Sequence, residues 1–259
     1  MIPKRIHYIW FGRNELGELQ KRCISSWKRC LPDYEIIRWD ESNFDISENK
    51  YCKEAYEQNK WAFASDYARL WVLVNYGGIY MDTDVEVISS FDPFLEHEAF
   101  SGFESGTMIS TGVMASEAHH PLFTELLEGY RERRFINADG SLNVMTNVHY
   151  ITEACRKYGF QQNNRLQTVG GLTLYPEDFF CPKDNDSSAI STTANTVAIH
   201  HFEGSWMGDA EREIVKRKQE IKQKHPACPV RLAVAVSAAK YLLKTGDIKG
   251  VTNIVRNKQ

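Results

Sequence analysis

The segment WAFASDYARLWVLVNYGGIYMDTDV, residues 61–85, contains a helix pattern, a glycine stop and a strand pattern in direct succession. Apolar and small residues recur along Trp61–Tyr76 with a period of about 3.6 residues, which predicts an α-helix. The pair Gly77–Gly78 then predicts the helix end, because glycine adopts the backbone geometry found just after helices at little cost. The apolar run Ile79–Met81 predicts a short buried strand that leads directly into Asp82–Asp84.

Upstream of this segment, strand and helix patterns alternate. The aromatic and β-branched run Ile6–Phe11, followed by Gly12, predicts the first strand, and Tyr34–Trp39 predicts the second. Between them, Leu19–Trp27 has a helical pattern. This order predicts an α/β fold with a parallel or mixed sheet flanked by helices. Ligands of such sheets collect at the carboxyl ends of the strands, which is where the acidic segment lies.

The second half of the chain gives weaker signals. Phe123–Tyr130 and Val148–Tyr158 have helical patterns, and Thr196–His201 has a strand pattern. The polar stretch Lys183–Asn195 predicts a loop. We therefore expect one α/β domain over residues 1–210 and a basic helical C-terminal region over residues 211–259.

The composition is that of an ordinary globular protein, with 42% hydrophobic and 25% charged residues. No run of about 18 apolar residues occurs, so no membrane-spanning helix is predicted. The first residues show no secretory signal pattern, and none is expected. The six cysteines are scattered without a Cys-x-x-Cys pair, which indicates reduced thiols in a cytoplasmic protein and favours neither a zinc site nor disulfides.

Charge is distributed unevenly along the chain. Residues 211–259 contain 12 Lys and Arg against four Asp and Glu, a balance of +8, whereas residues 1–210 have a balance of −11. Within the basic region, Val230–Lys244 is an apolar stretch that Arg231 and Lys240 interrupt. Such a helix can lie on an anionic membrane surface, or it can pack on the main domain with its cations solvated.

Two Asp-x-Asp pairs occur in the sequence, and their contexts differ. Asp82 and Asp84 directly follow an apolar strand, whereas Asp184 and Asp186 lie in a polar loop. In an extended backbone alternate residues point to one side, so both carboxylates of the first pair can share a hard divalent cation. Such a cation neutralises the charge that develops on the diphosphate of a nucleotide-sugar as the glycosidic bond breaks. We expect the first pair to be functional and the second not.

Three sequence blocks together resemble glycosyltransferase family 32, the sugar transferases with an Asp-x-Asp motif. The blocks are IHYIWFG at residues 6–12, ASDYAR at 64–69 and GGIYMDTDV at 77–85, with a weaker echo in HHFEGSW at 200–206. That family includes bacterial capsular-polysaccharide enzymes and fungal mannosyltransferases, and its donor site is similar to that of the glucosylating clostridial toxins. The resemblance implies a GT-A-type, Rossmann-like mixed sheet, a nucleotide-sugar donor and Mn²⁺ or Mg²⁺.

The resemblance also implies roles for single residues. Trp10 would stack on the nucleotide base, for which an indole face is well suited. Asp66 and Arg69 share a helix face and would hold the ribose and sugar hydroxyls, while Arg69 would also counter phosphate charge. Ser65 and Tyr80 would be supporting polar contacts near the donor. The alternatives are that the indole belongs to the core and that the helical pair is a simple ion pair.

The C-terminal block implies further ligands. His201 would complete the metal shell around the acidic pair, and Ser205 and Trp206 would donate hydrogen bonds to the diphosphate. Neighbouring residues of a strand face opposite sides, so at most one of the two adjacent histidines is a ligand, and His200 stays as the alternative.

The resulting hypothesis is a metal-dependent retaining hexosyltransferase with Asp82, Asp84 and Arg69 as its catalytic residues. A UDP-sugar is the preferred donor, by analogy with the bacterial family members, and a saccharide that is lipid-linked is the expected acceptor. The pathway would be capsule, exopolysaccharide or O-antigen synthesis, at the cytoplasmic face of the membrane. No carboxylate stands out as a nucleophile, although Glu86 and Glu104 are site candidates. A front-face mechanism is therefore favoured, in which the departing diphosphate helps take the acceptor proton.

Two other functions fit parts of the sequence. The string DTDV at residues 82–85 fits the nucleophile motif of haloacid-dehalogenase-like phosphatases, but the later Asp-Asp pair of those enzymes is missing here. A non-catalytic carbohydrate-binding protein that keeps the fold is the alternative from a different class.

Overall fold

The computed structural model describes residues 1–204 and 207–247. Its strands are β1 (Arg5–Ile9), β2 (Glu35–Trp39), β3 (Gly78–Met81), β4 (Val85–Val87), β5 (Ala99–Glu104), β6 (Met108–Ile109), β7 (Val113–Ser116), β8 (Gln167–Val169), β9 (Leu172–Tyr175) and β10 (Ala198–His200). Its α-helices are α1 (Glu18–Cys30), α2 (Lys50–Glu57), α3 (Trp61–Tyr76), α4 (Pro121–Glu128), α5 (Asn147–Arg156), α6 (Glu177–Phe180), α7 (Asp209–Lys224) and α8 (Val230–Thr245).

Eight of the strands form one mixed sheet in the order β2-β1-β3-β7-β5-β9-β8, with β6 paired to β5. Strand β1 runs parallel to β2 and β3, and β5 runs parallel to β9. Strand β7 is antiparallel to both β3 and β5. The remaining strands, β4 and β10, form a separate antiparallel pair. The predicted α/β fold with a mixed sheet flanked by helices is confirmed.

Helix α3 lies at the centre of the main hydrophobic core. It begins and ends at the predicted residues, and its residues 63–70 and 72–74 are all buried. A helix buried on every side tolerates polar residues only where they find partners. Ser65, Asp66 and Arg69 are the polar residues in these buried stretches, so each of them is expected to be hydrogen-bonded or ion-paired.

Two glycines join α3 to β3 through a turn whose backbone angles and close contacts disfavour any residue with a side chain. Gly77 and Gly78 have φ angles of 61° and 108°. A Cβ atom at Gly77 would lie 2.7 Å from the backbone nitrogen of Ala118, and one at Gly78 would lie 2.8 Å from the carbonyl oxygen of Arg5. The chain can therefore pass directly from the central helix into the central strand only because neither residue has a side chain.

The chain divides into two compact units. The first comprises residues 1–182 and 192–201, and the second comprises residues 183–191 and the chain from residue 202 onward. In the second unit, the buried Lys218 of α7 donates hydrogen bonds to the Asn185 carbonyl and to the Asp186 carboxylate, at 3.0 and 2.9 Å. The domain boundary near residue 210 stays a prediction. Within the described ranges, every helix falls short of the length and apolarity that a membrane crossing requires.

The Gly78→Ala variant should lose more stability than a matched glycine variant elsewhere. Backbone strain at positive φ costs about 1–3 kcal/mol, and the clash with the Arg5 carbonyl adds to this cost. Gly140→Ala is the control, because Gly140 has a φ of 81° and no atom within 4 Å of an added Cβ. Urea unfolding of both variants measures the two losses, and equal losses would contradict the close approach at Gly78.

Candidate active site

A turn between β3 and β4 brings two carboxylates next to a histidine from β10. The Val85 N–H donates to the Asp82 carbonyl at 3.0 Å and closes the turn. His200 pairs with Val85 in the small antiparallel sheet. As a result, His200 Nε2 lies 3.4 Å from Asp84 Oδ1 and 3.8 Å from Asp82 Oδ2. The carboxylates converge through this turn and not through the extended backbone that the sequence suggested.

The three side chains form a suitable ligand set for a divalent cation. One ligand atom from each of Asp82, Asp84 and His200 lies within 4.8 Å of the others. Carboxylate oxygens suit Mg²⁺ and Mn²⁺, and an imidazole nitrogen is a common additional ligand of transition-metal ions. In residues 1–204 and 207–247, no other group of three His, Cys, Asp or Glu meets the same distance criterion.

The structure places His200, and not the predicted His201, at the acidic pair. The His201 imidazole instead lies 2.9 Å from Glu86 Oε2, and its Nε2 is 3.5 Å from Arg22 Nη2. Adjacent residues at a strand end point to opposite sides, so only one of the two histidines can face the acidic turn. The geometry favours His200 over the predicted His201 as the third ligand candidate, and the role of either as a metal ligand stays a prediction.

The His200 imidazole has an unusual protonation equilibrium. Burial is the largest single effect and opposes the charged form, but the charge and hydrogen bonding of Asp84 together with Cys181 outweigh burial and hold the pKa of His200 well above its usual value. An imidazolium then provides the positive charge between the two carboxylates. Because a metal ion requires the neutral imidazole, metal binding must displace this proton.

A buried arginine holds the first aspartate in place. Arg69 Nη2 lies 3.3 Å from Asp82 Oδ1 and 3.2 Å from Asp66 Oδ1. The Tyr80 hydroxyl donates to the same Asp82 oxygen at 2.7 Å, and the Arg69 guanidinium lies 4.6 Å from the Tyr80 ring centroid. Asp82 Oδ1 is thus held by two donors, while Oδ2 is the oxygen nearer His200.

The remaining bonds of Arg69 explain the position of Ser65. Arg69 Nη1 donates to the Thr111 carbonyl at 3.0 Å, and Nη2 lies 3.3 Å from Ser65 Oγ. The Ser65 hydroxyl itself donates to the Ala62 carbonyl at 2.7 Å. Ser65 therefore helps to position the guanidinium group of Arg69. Arg69 is buried, so its charge acts on the site mainly through the two carboxylates it contacts.

Asp66 has a buried carboxyl group whose pKa is close to neutral pH. Burial raises its pKa to about 7, although the neighbouring Arg69 works in the opposite direction. Its backbone carbonyl accepts a hydrogen bond from Asn147 Nδ2 at 3.1 Å, and Asn147 Oδ1 accepts one from the Tyr130 hydroxyl at 3.2 Å. Sequence reasoning did not identify Asn147 or Tyr130, because neither belongs to a motif and both reach α3 from distant parts of the chain.

The two site carboxylates named as mechanistic candidates lie in different environments. Burial raises the pKa of Glu104, which also interacts electrostatically with His200, Asp82 and Asp84. Glu86 instead pairs with His201. Glu104 therefore shares the electrostatic environment of the candidate metal site, whereas the carboxylate of Glu86 is engaged by His201.

Trp10 stands just after β1 with its indole partly exposed. Its backbone N–H donates to the Trp39 carbonyl at 2.9 Å, and its indole N–H donates to the Asn14 carbonyl at 2.7 Å. The next residue, Phe11, is buried in the core. A cavity of about 400 Å³ opens at the ends of β1 and β2 and is lined by Arg13, Arg38, Asp40, Glu41 and Ser42.

The other predicted residues fall outside this cluster. Ser205 and Trp206 lie outside the described residues. The second acidic pair does not form a ligand set: Asp184 accepts hydrogen bonds from Asp186 N–H and Ser187, while the Asp186 carboxylate pairs with Lys218.

Comparisons with known proteins point to the same part of the chain. Residues 17–101 match the family described as the glycosyltransferase sugar-binding region containing DXD motif. Inositol phosphoceramide mannosyltransferase 3 of Schizosaccharomyces pombe is 30% identical over 133 residues, which are 49% of this chain and 36% of that protein. Human alpha-1,4-N-acetylglucosaminyltransferase is 28% identical over 153 residues, 59% of this chain and 41% of that protein. The matched segments thus span less than half of these two relatives.

Among solved structures, the chain is similar to the PaToxG glycosyltransferase. The TM-score is 0.49 and the sequence identity is 22%, over 60% of this chain and 69% of that one.

The His200→Ala variant should bind Mn²⁺ at least about tenfold more weakly than the unmodified chain, because it removes one of three ligand side chains. Affinity in the unmodified chain should rise with pH, since the proton on His200 competes with the metal. Titration calorimetry at several pH values measures both effects. His201→Ala is the matched control. If His201→Ala lost more Mn²⁺ affinity than His200→Ala, His201 and not His200 would be the third ligand.

Proposed function

We propose that this chain is a metal-dependent GT-A-type glycosyltransferase that moves a hexose from a nucleotide-sugar to a saccharide acceptor. The observation that carries the proposal is the group of Asp82, Asp84 and His200 at the carboxyl end of β3. This strand lies in the segment that matches the DXD sugar-binding family. The names of the two relatives, a mannosyltransferase and an N-acetylglucosaminyltransferase, support transfer of a hexose or hexosamine.

The protein contributes a rigid arrangement of charge to this reaction. A divalent cation held by the three ligands would supply positive charge to the diphosphate as it leaves. Arg69 and Tyr80 hold the Asp82 carboxylate through its Oδ1 atom. Groups that are oriented beforehand cost no reorganisation when charge develops, which is the main source of electrostatic catalysis.

The donor sugar and nucleotide would lie on either side of this centre. Asp66, with a pKa of about 7, can either accept a hydrogen bond from a hydroxyl or donate one near neutral pH. The partly exposed indole of Trp10 offers a face for base stacking at the end of β1. We propose a UDP-sugar as the donor, with the cavity beyond β1 and β2 available to the nucleoside.

We further propose retention of configuration by a front-face route. In this route the departing diphosphate takes the proton of the acceptor hydroxyl, and the protein provides positioning and electrostatic stabilisation. Glu86 is engaged with His201 and is a poor nucleophile for the same centre.

The acceptor is proposed to be a lipid-linked saccharide in capsule, exopolysaccharide or O-antigen synthesis. The name of the fungal relative, an inositol phosphoceramide mannosyltransferase, supports a lipid-linked acceptor, because it describes transfer to a lipid. A cytoplasmic protein bound peripherally to the inner face of the membrane would have access to such an acceptor. The basic region from residue 211 onward supports this location.

Asp82→Asn and Asp84→Asn should each lower turnover of the nucleotide-sugar by about a hundredfold or more, because each removes a charge that holds the cation. The assay is release of nucleoside diphosphate from a panel of UDP- and GDP-sugars with Mn²⁺. Asp184→Asn is the matched control and should retain full turnover, since Asp184 caps a turn in the second unit.

Other outcomes of the same assay would favour the rival functions. Near-normal turnover in Asp82→Asn would exclude the proposed site. Release of phosphate from simple phosphoesters would indicate a phosphatase, and saturable donor binding without any turnover would indicate a carbohydrate-binding protein.

Trp10→Ala should weaken UDP binding by about 1–3 kcal/mol, the range found for base stacking on aromatic side chains. The fold should persist, because the indole is partly exposed while Phe11 supplies the core contact. Calorimetric titration of UDP and circular dichroism test both statements. A folded variant with unchanged UDP affinity would show that the base binds elsewhere.

A further inference from the structure

Helix α8 of the second unit packs on α7 through one face of small residues. Ala233, Ser237 and Ala238 are buried, and Ala238 contacts the buried Ile214 of α7. Tyr241 is partly buried against the same cluster. The hydroxyl of Ser237 donates to the Ala233 carbonyl at 2.7 Å, so this buried polar group is satisfied within α8. One side of α8 is thus assigned to packing within the unit.

The opposite face of α8 is apolar and exposed. Leu232 is 54% exposed, Val236 is 36% exposed and Leu243 is 88% exposed. Ala235 and Ala239 are exposed between them. Residues at these intervals share one side of a helix, because a helix turns by about 100° per residue. Single exposed apolar residues are ordinary, but an aligned stripe opposite a packed face needs an explanation.

Cations stand on both edges of this stripe. At about 100° per residue, Arg231 falls on one edge and Lys240 on the other, while Lys244 lies further round towards α7. Arg231 and Lys240 have no ion-pair partner in the described residues, and Lys244 has only a distant one, Glu213 at 3.9 Å. Helix α8 contains no Asp or Glu. The exposed side of α8 is therefore aliphatic at its centre and positively charged at its margins.

We propose that this face of α8 is a docking surface for a bilayer that contains anionic lipids. The α8 docking face, defined by Leu232, Val236 and Leu243 with flanking Arg231 and Lys240, combines exposed aliphatic side chains with cations at its margins, a combination that binds anionic membrane surfaces. Its aliphatic side chains enter the boundary between headgroups and acyl chains. Its long cationic side chains reach outward to the lipid phosphates on both sides. The helix lies in the plane of the membrane, since its 16 residues are too few to cross it.

The same observations disfavour a second copy of the chain as the occupant. Two α8 docking faces placed against each other would bring four cations together with no acidic residue of α8 between them. Like charges brought together at an interface oppose association. An anionic lipid surface satisfies both the aliphatic centre and the cationic margins.

The inference deepens the proposed function, because it names the surface that would bring the enzyme to a lipid-linked acceptor. Binding to the bilayer does not itself require metal, donor or turnover. Lipid binding and nucleotide-sugar turnover can therefore be measured separately on the same full-length protein, and failure of one does not imply failure of the other.

The test is cosedimentation of the full-length chain with vesicles of phosphatidylcholine, with and without phosphatidylglycerol. Binding should require phosphatidylglycerol and should fall as salt rises, because the cationic margins are screened. Leu232→Glu combined with Leu243→Glu should abolish binding. Lys240→Gln should weaken binding about fivefold, the effect of one basic residue near anionic lipid.

Leu166→Glu is the matched control, because Leu166 is a 60% exposed leucine of the first unit. It should bind vesicles as the unmodified chain does, and circular dichroism should show that the variants stay folded. Equal loss in Leu166→Glu and in the α8 variant would overturn the proposal, as would absence of binding to phosphatidylglycerol vesicles. Self-association that disappears on Leu243→Glu would instead identify a second copy as the occupant.

Discussion

The buried ion pairs of Arg69 with Asp66 and Asp82 are the interaction on which the candidate site depends. A charge removed from water costs several kcal/mol unless it is paired, so the buried guanidinium of Arg69 requires these carboxylates. Arg69 and Asp66 stand on the central helix, while Asp82 follows the central strand. The ion pair therefore fixes the turn that carries Asp82 and Asp84 against the helix. The side-chain-free turn at Gly77–Gly78 permits this, since it folds the strand back beside the helix that precedes it.

Much of the first unit could be predicted because its signals are local. The bounds of α3, the glycine stop and the strand into Asp82 are all encoded within 25 consecutive residues. Propensity, periodicity and the chemistry of glycine are properties of neighbours in sequence. The importance of Asp82 followed from the same local context, because a strand end beside a helix is where such folds bind ligands.

The parts that sequence reasoning missed depend on pairing between distant segments. Whether His200 or His201 faces the acidic pair is decided by the register of β10 against β4, which joins residues more than 100 positions apart. A shift of one residue would exchange the two histidines, and nothing in the local sequence fixes that shift. Asn147 likewise reaches Asp66 from a helix 81 residues away, so its role has no sequence signature.

The two Asp-x-Asp pairs show why such a motif acquires a function only through its partners. Asp184 and Asp186 have the same spacing as Asp82 and Asp84, yet one closes a turn and the other neutralises the buried Lys218. The carboxylates of Asp184 and Asp186 are thus already engaged by neighbouring groups of the second unit. At the first pair, Arg69 and Tyr80 engage one oxygen of Asp82, and the other oxygen and Asp84 face an imidazole that can give up its proton. The second pair is used in contacts within its own unit, so among the described residues the first pair alone forms part of a candidate cation site.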